Sequence, residues 1–204
     1  MIGVTRTLLQ IAGAPLHPSP LDRSALVVID PQLEYVDGLL PLEGIEEAIL
    51  EISRLIEIAR DRDVPIFHVV HHGPSGAAAF DPDGPGVGIV EELTPRNGES
   101  IVVKSLPNAF AATNFHDLLQ KTGRTELIIA GFATHMCVST TARAAIDHGY
   151  RVTIVANATA TRDLPSPIDG RTIRALAVHE ITLAALADRF AIVVPNAAAL
   201  ITIL

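Results

Sequence analysis

The sequence lacks most of what would mark it for a specialised environment. It has a single cysteine in 204 residues, so no intrachain disulfide can form and a Cys-rich zinc site is excluded. A reducing cytoplasm suits such a chain, and a cytoplasmic location is expected. Charged residues make up only 19%, the formal net charge is −8 and there is no basic run. Nucleic acid or an anionic membrane surface needs clustered Lys and Arg, so neither is expected as a partner. No apolar stretch is long enough to span a bilayer. The short apolar run from Thr7 to Ala14 is stopped too soon by Pro15 to read as an export signal. No strand candidate is followed by a glycine-rich phosphate turn, which argues against a nucleotide-binding module.

What is present suits one α/β domain. Hydrophobic residues reach 49%, enough to bury a full central sheet and to leave apolar surface over, so a homo-oligomer, dimer or higher, is expected. Apolar runs at Ala25 to Ile29, Pro65 to Val70, Ser100 to Val103, Glu126 to Ala130, Arg151 to Val155 and Ala191 to Val194 read as strands buried on both faces. Helical periodicity fills the gaps at Ile45 to Arg62, Ala112 to Lys121, Cys137 to His148 and Gly170 to Asp188. This alternation predicts a mostly parallel sheet with helices on both faces, and ligands at the carboxyl ends of its strands. Residues 1–20 form an N-terminal arm and a linker with three prolines; the arm either pairs with a neighbouring subunit or frays. The domain proper is 21–204. Gly73 to Gly88 reads as a long loop, either a lid or a plain surface excursion.

Three polar residues stand at or just beyond the ends of three such strands: Asp30, Lys104, and Cys137 after the turn Gly131 to Met136. Singly, each has an ordinary explanation as a turn residue, a solvated lysine and a small buried hydrophobe. Together they make a chemical unit. A thiol attacks as thiolate, and a helix start and a nearby ammonium both lower its pKa. A carboxylate beside it can take the thiol proton and return it to a leaving amine. Backbone amides at the helix start would hold the oxyanion.

Three motifs carry a resemblance to the isochorismatase-like cysteine hydrolases, which include nicotinamidases, N-carbamoylsarcosine amidases and streptothricin hydrolases. They are Val27-Val28-Ile29-Asp30-Pro31-Gln32 with Glu34-Tyr35; Lys104 with Asn108-Ala109-Phe110 and Thr113; and Gly131-Phe132-Ala133-Thr134-His135-Met136-Cys137-Val138 with Thr141-Ala142-Arg143-Ala145. The last resembles the family's nucleophile turn and is the most specific. The resemblance runs from about Ala25 to the C-terminus. It implies a three-layer αβα fold with a six-stranded parallel sheet, Asp30 as general base and acid, Lys104 as electrostatic support and Cys137 as acylated nucleophile. It also implies a cis peptide at Phe132-Ala133, with the amides of Ala133 and Cys137 as the oxyanion hole. The expected reaction is hydrolysis of a C–N bond in a small amide, carbamoyl or ureido substrate. The alternatives are vinyl ether hydrolysis of the isochorismatase type and a catalytically idle binding protein of the same fold.

Two departures qualify the likeness. Val36 to Gly44 holds no histidine where nicotinamidases carry a metal motif, so no metal or other cofactor is expected. Asn157 stands where relatives usually show Asp. His68, His71 and His72 cluster at a strand end and could hold a metal, but with no acidic partner close in sequence the reading as strand-end residues facing a pocket or solvent is preferred. Gln32, Tyr35, Phe110, Phe132, Thr134, His135 and Leu164 are candidate substrate-binding residues, with core packing or turn capping as the alternative for each. His179, within an apolar helix, reads as a packed, hydrogen-bonded residue or an intersubunit contact.

Overall fold

The computed structural model describes residues 5–201. Six parallel strands form the central sheet in the order β3-β2-β1-β4-β5-β8, with β1 Ser24–Ile29, β2 Ile66–His71, β3 Ser100–Lys104, β4 Glu126–Phe132, β5 Arg151–Ala160 and β8 Ile192–Val194. β1 and β4 are buried at every position. This is why their sequences read as unbroken aliphatic runs rather than alternating ones. Helix α2, Ile45–Asp61, covers one face, where Ile49, Ile52 and Ile56 meet Leu26, Val28 and Ile128. Helices α3 (Phe115–Thr122), α4 (Ser139–Asp147) and α5 (Ala175–Arg189) cover the other, where Phe115, Ala142 and Leu186 meet Val27, Ile29 and Ile129. The architecture is the expected three-layer αβα sandwich.

The chain departs from its predicted elements in the second half. β5 runs five residues past its expected end at Val155, to Ala160. A bulge makes this possible: the pairing with β4 jumps from Ile129–Ile154 to Gly131–Thr159, and the extra residues push Asn157 out to solvent. A two-stranded antiparallel hairpin follows, β6 Leu164–Pro165 with β7 Thr172–Ile173, where the helix was expected to begin at Gly170. Helix α5 starts only at Ala175, and its first turn is capped from a distance, Ala175 N donating to Asp163 Oδ1 at 2.8 Å.

The N-terminal arm folds back onto its own chain. Thr7 and Gln10 form a capping box for the short helix α1, Leu8–Ile11, and Leu8 N donates to Asp188 Oδ1 at the end of α5, at 2.8 Å. The linker is pinned to the sheet where Ser19 N donates to Thr153 Oγ1 at 2.7 Å. The 73–88 loop is likewise tied down. Gly73 N donates to Phe80 O, Leu33 N to Gly88 O, and Phe80 N to the buried Glu34 carboxylate. Gly86 lies so close to that carboxylate that a Cβ there would stand 2.4 Å from Glu34 Oε2. Among the described residues, no helix is long and apolar enough to cross a membrane.

Candidate active site

The carboxyl ends of three strands bring Asp30, Lys104 and Cys137 together. β1 ends at Ile29, and Asp30 turns out of the strand in a left-handed conformation, φ 47°, while its amide still donates to Val69 O at 2.7 Å. Lys104 closes the edge strand β3, in register with His71 of β2. Its head must therefore cross β2 to reach β1, two strand spacings of about 4.8 Å each, a span covered by the lysine stem together with the Asp30 side chain and the hydrogen bond between them. Cys137 arrives from the other side of β1. After β4 the chain makes one wide turn of π type, Thr134–Val138, before α4 begins at Ser139. Such bulges re-aim side chains at functional sites. The turn depends on Gly131, at φ 109°, where a Cβ would lie 2.0 Å from Ile29 O. The Phe132-Ala133 peptide is cis.

Lys104 Nζ is the hub. It donates to Asp30 Oδ2 at 2.8 Å, to His71 Nδ1 at 3.2 Å and to Cys137 Sγ at 3.3 Å. An ammonium has three N–H donors, so this geometry uses them all and fixes the head in place. Lys104 and Asp30 are completely buried, and Cys137 is 4% exposed. Asp30 Oδ1 is buried with no hydrogen-bond partner among the described residues.

Burial dominates the electrostatics. It raises the Asp30 pKa despite the opposing charge of Lys104. It pushes the Cys137 thiol up to about 12, with the Asp30 charge adding to the rise and Lys104 opposing it. At rest Cys137 is thus a neutral thiol, contrary to the low pKa expected from a helix start and an ammonium. Removing the sulfur from water outweighs both. Burial, then Lys104 and His72, lower His71 to about 4, so His71 is neutral and its Nδ1 can accept from Lys104.

A cavity of about 240 Å³ opens onto Cys137. Ala133, His135 and Met136 of the nucleophile turn form one side of it, and Tyr35, His71 and Phe80 another. Leu40, Pro107 and Arg162 complete the rim. Of the seven candidate substrate-binding residues, Tyr35 and His135 line this space and the other five do not. Gln32 is fully buried. Its amide donates to His71 O and Val87 O and accepts from His71 N, all within 2.9 Å, so it positions His71. Phe132 packs behind Tyr35, ring centroids 6.0 Å apart. Phe110 lies in the core, stacked on His148 at 4.5 Å. Leu164 is in the short hairpin. Thr134 Oγ1 donates to Ala160 O and accepts from His179 Nδ1, both at 3.0 Å, so α5 braces the nucleophile turn through His179.

The histidines at the end of β2 do not converge. His68 and His71 are three residues apart on a strand and face opposite sides of the sheet. His68 is engaged with Glu99 at 2.8 Å and His71 with Lys104. Among the described residues, no three His, Cys, Asp or Glu side chains stand together as a metal site. His135 Nδ1 is 2.5 Å from Thr161 Oγ1. His71, read in the sequence as a strand-end histidine facing a pocket or solvent, does line the cavity, while Phe80 and Arg162 are walls that the sequence did not single out. Phe80 comes from a loop and Arg162 from beyond the bulge in β5, where periodicity gives no guide.

Comparison with known proteins agrees with this geometry. The Isochorismatase domain model matches residues 24–198. The crystal structure of an isochorismatase from Pseudomonas putida is 43% identical and superposes with a TM-score of 0.90, covering 96% of this chain and 99% of that one. The secreted isochorismatase effector Isc1 of Verticillium dahliae is 37% identical over 90% of this chain and 94% of its own length. A streptothricin hydrolase of Streptomyces noursei is 35% identical over 86% of this chain and 63% of its own length. With the domain model spanning nearly the whole chain, the fold matching and the motif residues gathered at one sheet edge, the chain belongs to the isochorismatase family of hydrolases.

Proposed function

We propose that the protein is a cysteine hydrolase that cleaves the C–N bond of a small amide, carbamoyl or ureido substrate through a thioester on Cys137. The observation that carries this reading is the contact of one buried ammonium, Lys104 Nζ, with both Asp30 Oδ2 at 2.8 Å and Cys137 Sγ at 3.3 Å beside a cavity. Its likeness to a streptothricin hydrolase supports the same direction.

In this mechanism the neutral thiol gives its proton to Asp30 Oδ1, the carboxylate oxygen left without a partner, as sulfur attacks the substrate carbonyl carbon. Burial raises the pKa of both groups, so Asp30 is a stronger base than a solvated carboxylate would be. Lys104 stabilises negative charge wherever it resides, on carboxylate or on sulfur. The amides of Ala133 and Cys137 hold the oxyanion. Asp30 then protonates the departing nitrogen and the C–N bond breaks, leaving the acyl group on sulfur. Water gives a proton to Asp30 and attacks the thioester; the proton returns to sulfur and the acid departs.

The test is a screen of amides, carbamoyl compounds, ureides and isochorismate, with and without chelator, using the protein and its Cys137→Ala variant. Turnover of a C–N substrate that Cys137→Ala abolishes with the fold intact, and an acyl adduct on Cys137 seen by mass spectrometry, are expected. Full activity of Cys137→Ala on that substrate refutes the proposal. Turnover of isochorismate alone, with no adduct, selects the vinyl ether reaction.

A further inference from the structure

The geometry points to His179 as a positioning residue of the reaction: its Nδ1–H holds Thr134, and through Thr134 it holds the turn that presents Cys137. The inference rests on the reading of that turn as the nucleophile turn of a C–N hydrolase.

The backbone of the turn does little to fix its own start. Met136 N and Val138 N share a single acceptor, Ala133 O, at 3.0 and 3.3 Å. The next two residues are tied by side chains instead. His135 Nδ1 meets Thr161 Oγ1, and Thr134 Oγ1 lies 3.0 Å from both Ala160 O and His179 Nδ1. Thr134 adjoins Ala133, whose amide is one of the two that hold the oxyanion in the proposed reaction. Any displacement of Thr134 is therefore carried to the oxyanion hole.

The protons of this network can be placed. Thr134 is fully buried, and its hydroxyl has one hydrogen. A carbonyl cannot donate, so the contact with Ala160 O is a hydrogen bond only if that hydrogen points there. The hydroxyl oxygen is left to accept, and His179 Nδ1 must carry a hydrogen. Burial, against the pull of Glu180, lowers the His179 pKa from 6.5, so the ring is neutral above pH 7 and Nε2 is bare. The opposite tautomer would set two lone pairs against each other or break the bond to Ala160, both costly in a buried network.

His179 stays clear of the reacting atoms. Its ring borders a separate space of about 270 Å³ with Glu43, Asn157 and Leu176. That space shares no lining residue with the Cys137 cavity. The ring therefore acts on the reaction through Thr134.

Asn and Gln at position 179 separate the two ring nitrogens. The Asn amide nitrogen lies as many bonds from Cβ as Nδ1 does, and the Gln nitrogen as many as Nε2. H179N, H179Q and H179L are compared with the unsubstituted protein, and urea unfolding checks that each folds. NMR of the His179 ring nitrogens reports the tautomer, and hydrogen exchange reports on the amides of residues 133–138. kcat and KM are measured on a C–N substrate that the protein turns over. The proton should sit on Nδ1, and H179N should keep both slow exchange and kcat. In H179Q and H179L exchange of the turn should be about 10-fold faster and kcat about 10- to 100-fold lower, with KM within about threefold. T134V should match H179L and add nothing to it in the double variant. A proton on Nε2, an H179N as impaired as H179Q, or a folded H179L with unchanged exchange or unchanged kcat overturns the inference. If H179L does not fold, H179N against H179Q decides by the same criteria. If no C–N substrate is turned over, the hydrolase reading falls, while the tautomer and the exchange pattern still decide whether His179 holds the turn.

Discussion

Replacing Lys104 by Met should make stability fall with pH more steeply than it does in the unsubstituted protein. The two heads of the Lys104–Asp30 pair are fully buried, 2.8 Å apart. Removing the ammonium strands a carboxylate in the interior, a loss of about 3 to 5 kcal/mol when the group stays charged. Asp30 can avoid this only by binding a proton. Burial already raises its pKa against the pull of Lys104, so without Lys104 it rises further. A carboxyl whose folded pKa lies above its ordinary value of 3.8 favours the fold at low pH and loses that contribution as pH climbs through the folded pKa. The variant should therefore be close to the unsubstituted protein near pH 4. Above that the two decline together until Asp30 ionises in the unsubstituted protein; from there the variant falls behind by up to about 1.4 kcal/mol per pH unit until its own carboxyl ionises inside the fold. Urea unfolding between pH 4 and about 8 measures this. The double variant Asp30→Asn, Lys104→Met, with neither charge present, should lose most of the pH dependence. A stability gap that is constant across the range, or a double variant as pH-sensitive as the single one, refutes the reasoning.

Three other outcomes follow from the geometry. Because burial holds the Cys137 thiol up to about 12, its alkylation by iodoacetamide should be slow at neutral pH and should climb through pH 9 without a plateau; a plateau below pH 7 would mean an activated thiolate at rest. Gly131→Ala would place a Cβ 2.0 Å from Ile29 O at a φ of 109° and should cost more than about 3 kcal/mol in urea unfolding; a loss under about 1 kcal/mol would mean that β1 and β4 part easily. Burial works against the charge on Glu99, but hydrogen bonds from Arg60, the Arg96 amide and His68 hold its pKa down to about 2. Its contribution is present above the usual value of 4.5 and is lost as pH drops towards 2. Glu99→Gln should flatten that acid limb of the stability curve; unfolding midpoints that decline as steeply as in the unsubstituted protein would show that the loss arises elsewhere.

Elements buried on both faces were the ones legible in the sequence. β1 and β4 lie within a residue or two of their predicted ends because continuous aliphatic runs bounded by turns have few other uses. The three residues of the proposed catalytic group were legible for the same reason, since each sits just past such a run. What depends on tertiary context was not. The second half of β5 is polar and exposed at Asn157, so it carries no strand pattern, and only the bulge lets it rejoin β4. The start of α5 is fixed by Asp163, twelve residues upstream of the amide it caps, and no local signal reveals that. Most of the cavity walls contributed by loops, Phe80 and Arg162 above all, escaped notice. The thiol illustrates a different failure. Helix start and ammonium were visible in the sequence, but the degree of burial that outweighs them was not.

The outermost strand of the sheet carries an obligation that such strands seldom bear. Sheet margins ordinarily fray at little expense, and β3 has the look of one, with Ile101 and Val103 about half exposed on one side. Yet Lys104 is its final residue, and a slip of one position against β2 would turn that amine to the opposite side of the sheet. The chemistry proposed at the centre is therefore hostage to correct zippering at the periphery, and any partner or stress that peels this border strand away would withdraw Lys104 from Asp30 and Cys137.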